Sequence, residues 1–295
     1  MEQRSRSIPW HRASLDRELM KSLNRRSDWK AGLQMSTHLA LIALLGAAAW
    51  RVQNNLLVLL PLLFLYGTCY NFILNATHEL SHNSVFKTRV LNEFFMRLLC
   101  FFGWRSYVMF WASHAEHHKY TLHQPDDLEV VLPSNLSLAT FLKTGFVDVR
   151  LFGETIVKTV SLSFGRVDGR WQEYLLEMMA GDKRQGMINW ARLLLIGHVA
   201  MVGASLYFGL WIIPVLTTFA IFYGHWLRFL CNNTQHAGLS EDVADFRLNS
   251  RTVILNPLVR FLYWHMNFHI EHHMYATVPC YHLGKLHAAI RHDLP

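Results

Sequence analysis

Four apolar runs decide what this chain can fold into: residues 33–50, 56–74, 188–208 and 210–228. A helix needs about 20 apolar residues to cross a bilayer, and each run is near that length. One run alone fits a buried helix of a soluble protein equally well. Four runs in two close pairs, with turns at Arg51 and near Gly209, read as two membrane-crossing hairpins. They also explain why 52% of the 295 residues are hydrophobic and only 17% are charged. The expectation is an all-α integral membrane protein with four transmembrane helices and a cytoplasmic helical cap between and after the hairpins.

Charge gives the orientation. Residues 1–32 form a basic segment with eight Lys or Arg and no apolar run before them, which argues against a signal peptide. The turn after the first run holds only Arg51, and the turn near Gly209 holds no charge. Positive residues stay on the cytoplasmic side, so both termini are expected there, with residues 33–295 as a single membrane domain. A fifth apolar stretch, 90–111, is interrupted by Arg97 and Arg105. A charge at the bilayer centre is costly, so this stretch is read as an interfacial helix. Within the polar 134–181 region, amphipathic helices are expected over 136–146 and 171–179. The net charge of +7 accompanies no nucleic-acid motif. Beside membrane spans it fits anionic headgroups, and no nucleic-acid partner is expected.

Nine of the 18 histidines fall in four clusters on the cytoplasmic side of this scheme. They are His78-Glu-Leu-Ser-His82, His114-Ala-Glu-His117-His118, the lone His236, and His269-Ile-Glu-His272-His273. Residues three and four apart are neighbours on a helix face, so the rings of each cluster are expected to converge on one point. Neutral imidazole is the commonest metal-ligating side chain, and nine of them suit two ions with four or five nitrogens each. Cys69, Cys100, Cys231 and Cys280 are scattered without a C-x-x-C pair, unlike a structural zinc site. Calcium and magnesium want oxygen donors. Imidazole-rich sites favour iron, copper, nickel or zinc, and a pair of ions with oxygen chemistry to do points to iron. Glu79, Glu116 and Glu271 lie beside the ligands and are candidates to fix histidine tautomers from outside the metal shell. Asp126, Asp127 and Glu129 rank below them, because Gln124-Pro125-Asp126-Asp127 also reads as a plain turn.

The motifs HELSH, HAEHH and HIEHH resemble the three histidine boxes of the membrane fatty acid desaturase superfamily, in order and spacing, over about residues 35–290. The superfamily includes hydroxylases. The resemblance implies a non-haem di-iron centre on all nine histidines. It also implies a water held on one iron by Asn232, four residues before His236. It implies O2 as co-substrate and desaturation of a fatty acyl or lipid chain, with hydroxylation as the alternative. No residue outside the di-iron centre is expected to be catalytic. The first box is one residue shorter than in the acyl-CoA Δ9 branch, which argues against that assignment. The sequence lacks H-P-G-G and G-x-G-x-x-G, so a separate electron donor of ferredoxin, rubredoxin or cytochrome type is expected. The rival is a membrane metal transporter, whose histidines would line a path through the bilayer. None of the nine clustered histidines falls within the expected spans; His38, His198 and His225 do.

Overall fold

The computed structural model describes residues 7–130 and 137–295. Every element among them is helical. A short α1 (Arg17–Leu23) leads into α2 (Asp28–Arg51), capped by Ser27. After the turn come α3 (Leu56–Asn71) and α4 (Ile73–Ser81), which are nearly continuous. Then follow α5 (Arg89–Phe102), α6 (Tyr107–Tyr120), α7 (Leu138–Gly145), α8 (Val149–Ser163), α9 (Arg170–Met178) and the long α10 (Gly181–Tyr207). Shorter helices complete the chain: α11 (Ile212–Leu216), α12 (Trp226–Asn233), α13 (Phe246–Asn249), α14 (Pro257–Leu262), α15 (His269–Met274) and α16 (Leu283–Ile290).

Among the described residues three helices are long and apolar enough to cross a membrane: Asp28–Arg51, Leu56–Ser81 and Gly181–Tyr207. At about 1.5 Å per residue each exceeds the roughly 30 Å hydrocarbon core. Their outward faces are bare hydrocarbon, with Leu57 at 89% and Val199 at 70% exposure, which suits contact with lipid.

The fourth run does not form the expected helix over 210–228. It breaks into α11, a single 3-10 turn (Ala220–Phe222) and α12. Pro214 can offer no N–H to the ladder, and Gly224 adopts φ +73°, a left-handed conformation that glycine takes without strain. The freed backbone groups are paired by side chains of neighbouring helices. Tyr66 Oη donates to Leu216 O, Tyr70 Oη to Thr217 O (3.3 Å), Trp104 Nε1 to Thr218 O (2.8 Å) and Asn71 Nδ2 to Tyr223 O (2.7 Å). Irregular backbone is tolerated at membrane depth only when buried in protein in this way. The contacts run from Tyr66–Leu216 at one end to Asn75–Asn232 at the other. The broken run therefore lies parallel to α3–α4 and returns the chain from the far end of α10.

The stretch 90–111, read as one helix, is two. α5 folds back on α4 and ends at Gly103; Trp104 at φ +51° turns the chain into α6. This keeps the histidines of α4 and α6 at the same end. The helix expected over 136–146 covers Leu138–Gly145, its first residue lying outside the described ones, and the helix expected over 171–179 covers Arg170–Met178. α8, which packs on α10, was not anticipated. The basic N-terminal segment packs onto the C-terminal part: Trp10 stacks on Phe246, His11 pairs with Asp293 at 2.8 Å, and the Ser27 amide donates to Tyr281 Oη at 2.8 Å.

Candidate metal centre

All nine clustered histidines meet at one place, in two groups. His78, His82, His114, His118 and His272 have ring nitrogens within 4.8 Å of one another, and so do His117, His236 and His273. His269 joins the second group, with Nε2 at 3.0 Å from His236 Nε2 and 3.1 Å from His273 Nε2. The groups adjoin through stacked His118 and His273, ring centres 4.4 Å apart.

Each three-histidine cluster is divided between the groups rather than converging on one point. His114 and His118, four apart, share one helix face and enter the first group; His117 points to the second. In the other cluster His269 and His273 enter the second group and His272 crosses to the first. Adjacent residues on a helix point about 100° apart, so a histidine pair at the end of H-x-x-H-H straddles two centres.

The outer nitrogens explain the inward aim. His117 Nδ1 donates to Asp127 at 2.8 Å, and His114 Nδ1 donates to Glu129 at 2.9 Å. His236 Nδ1 donates to Asn249 O at 2.7 Å. Thr121 Oγ1 spends its proton on His117 O and accepts from His273 Nδ1 at 3.2 Å. With Nδ1 protonated, each Nε2 carries a lone pair. Yet Nε2 atoms face one another at 3.0–3.2 Å, as in His236–His269 and His118–His272. Ring nitrogens converging from several histidines at this spacing make a donor set that a cation would hold together. This donor set fits two metal ions of the imidazole-binding class.

Burial would raise the Asp127 carboxyl, but His117 and the amides of Leu122 and Glu129 bring it down to about 2. Glu129 is likewise brought to about 2, against its burial, chiefly by His114. Both stay ionised, as tethers for ligands must. Burial lowers His236 to about 3, so its ring stays neutral.

The three box glutamates take different places. Glu79 is fully buried, its Oε1 3.2 Å from His78 Nδ1 and 3.5 Å from His272 Nδ1. Glu116 instead accepts from Tyr174 Oη at 3.1 Å, and Glu271 binds Thr252 Oγ1 and His287 Nδ1. Neither touches a clustered histidine by hydrogen bond. Asp127 and Glu129, ranked lower from sequence, are the carboxylates that hold two of the rings. Asn232 Oδ1 accepts from Asn75 at 3.2 Å. His198 and His225 lie apart from the centre. His198 is stacked between Phe101 and Trp104 and bonded to Phe101 O and Thr218, and His225 is bonded to Ile221 O.

A cavity of about 600 Å³ opens onto both groups through His78, His114, His117 and His269, with Asn232 in its wall. Trp104, Met109, Phe110 and Met266 make its apolar sides. A family model described as fatty acid desaturase matches residues 54–295. A search of curated proteins returns no significant match.

Proposed function

The chain belongs to the fatty acid desaturase family, and from that premise we propose that it is a di-iron, O2-dependent oxidoreductase that introduces a double bond into a fatty acyl or lipid chain. The observation that carries this reading is the pair of imidazole groups whose Nε2 atoms turn inward at the wall of an apolar cavity. His78, His82, His114, His118 and His272 hold one iron, and His117, His236, His269 and His273 the other. Two irons there supply, when bound, the O2-derived oxidising power that an unactivated C–H bond needs and no side chain provides. Asp127 and Glu129 fix the tautomers of His117 and His114. Glu79 does the same for His78, while Glu116 and Glu271 brace the helices that carry the boxes. Asn232, in the cavity wall, would hold a water beside one of the irons. Trp104, Phe110 and Met266 exclude bulk water and align the hydrocarbon chain.

The broken run supports a fourth crossing, made by residues 210–233 against α3–α4. With α2, α3–α4 and α10 this gives four crossings and puts the metal centre and both termini on the cytoplasmic side, as the basic N-terminal segment favours. Electrons come from a separate donor protein. Hydroxylation follows the same first hydrogen abstraction and is the alternative outcome.

The test is metal content and lipid product mass on protein purified in detergent, beside His117→Ala and His272→Ala, one from each group. Loss of two hydrogens identifies desaturation, and gain of one oxygen hydroxylation. Full activity in both variants, or zinc as the bound metal, would overturn the di-iron reading.

A further inference from the structure

Two arginines line the cavity that opens onto the histidines: Arg105 and Arg228. Neither has a carboxylate within ion-pair reach among the described residues. Arg105 donates to Thr77 Oγ1 (3.0 Å) and Leu74 O (3.4 Å) and lies 4.2 Å over the Phe110 ring, which leaves guanidinium donors unused. Arg228 lies one turn before Asn232 on α12, and its buried Nε has no hydrogen-bond partner. The nearest acidic candidate in the wall, Glu129, is already engaged by His114 and Ser113. The two guanidiniums repel each other. Two like charges enclosed beside the cavity, with the one carboxylate in its wall tied to a histidine rather than to either of them, are costly to keep, and an arginine fork is shaped for a carboxylate or phosphate.

We propose that Arg105 and Arg228 form an oxyanion subsite inside the reaction cavity, so that the substrate enters as a chain with a free carboxylate or phosphate rather than as a neutral ester. This rests on the desaturase-type reading above and narrows it. The anionic end engages Arg228 and the free donors of Arg105, and the hydrocarbon lies along Trp104, Met109, Phe110 and Met266. Occupation by an oxyanion also gives Arg228 Nε the acceptor that the protein does not provide. The subsite selects against esters and glycerides because they leave both guanidiniums unpaired, a stronger discrimination than an added methyl group gives in an apolar slot.

The test uses the metal-loaded protein in phosphatidylcholine nanodiscs, with binding above empty discs measured for labelled dodecanoate, methyl dodecanoate and dodecyl phosphate. An oxyanion is expected to bind at least about tenfold more tightly than the ester. Whichever of the acid and the phosphate binds better names the group. R228Q should lose about ten- to hundredfold of that affinity, and R228K should recover part of it while metal content holds in both. Equal affinity for acid and ester, or unchanged affinity in metal-loaded R228Q, overturns the subsite and leaves the desaturase reading intact. If neither oxyanion nor ester binds while both metals are present, the subsite and the fatty-chain reading fall together.

Discussion

Asp127 stands ten residues after His117, yet its Oδ2 accepts the His117 Nδ1 proton at 2.8 Å and the Leu122 amide at 2.9 Å, while Oδ1 accepts the Glu129 amide at 2.9 Å. The backbone thus fixes the carboxylate, and the carboxylate fixes the ring. Asp127→Asn keeps the shape and removes the charge. Partners of this kind are worth about 10–100-fold in metal affinity. We expect Asp127→Asn, and separately Glu129→Gln, to fold and to lose metal to a chelator at concentrations roughly tenfold lower than wild type. Equal retention in a chelator titration would remove these carboxylates from the metal site.

The two groups predict selective loss. His82 serves only the first and His236 only the second. His82→Ala and His236→Ala should each retain roughly half of the metal, since the intact group keeps all four or five of its imidazoles while its neighbour loses a donor. Elemental analysis of the purified variants reads this directly. Loss of all metal in either one would mean that the groups act as a single site.

Eight of the nine histidines are legible because their spacing is local, helical periodicity bringing rings of one cluster to neighbouring faces; the lone His236 is legible only through the family resemblance. Their division was less legible, since it depends on which side of the cluster each neighbour packs. Asp127 and Glu129 were undervalued for the same reason. Sequence adjacency favoured Glu79, Glu116 and Glu271, but a residue next to a ligand on a helix is turned about 100° away from it. Of the three, only Glu79 lies beside clustered rings. Asp127 returns to His117 through the turn after α6, which spacing does not encode. Hydropathy located the run 210–228 but not its form. Pro214 and Gly224 break it, and the side chains that satisfy it, among them Tyr66, Tyr70 and Asn71, come from α3, far away in sequence.

Gly224 gives that packing a direct test. It holds φ +73°, and a Cβ there would lie 2.5 Å from Thr68 N and 2.6 Å from Gly67 C. Gly209 has a similar φ of +70° but open space around it. Gly209→Ala should cost about 1–2 kcal/mol, the conformational term alone. Gly224→Ala adds overpacking of about 1–3 kcal/mol and should lower the thermal midpoint in detergent further, with less folded protein recovered. Similar melting curves for the two variants would mean that the broken run does not press against α3 as described.

The last prediction concerns direction. α10 carries the chain away from the histidines, since Trp190 near its start bonds to Arg105 O beside the cavity, whereas Tyr207 and Phe208 at its end are bare. Only 25 residues separate Tyr207 from Asn232, which is back in the cavity wall. A connection of that length, buried along the parallel α3–α4 pair, spans the same length of the molecule as α10. Single cysteines placed at Gln53 and Gly209 should therefore react with a membrane-impermeant thiol reagent from the side opposite to cysteines at Ser7 and His292. In intact cells only the first pair should be labelled, and all four after the membrane is opened. Labelling of Gly209→Cys together with His292→Cys in intact cells would mean that the broken run does not cross, and the nine histidines would then need another route to a single face.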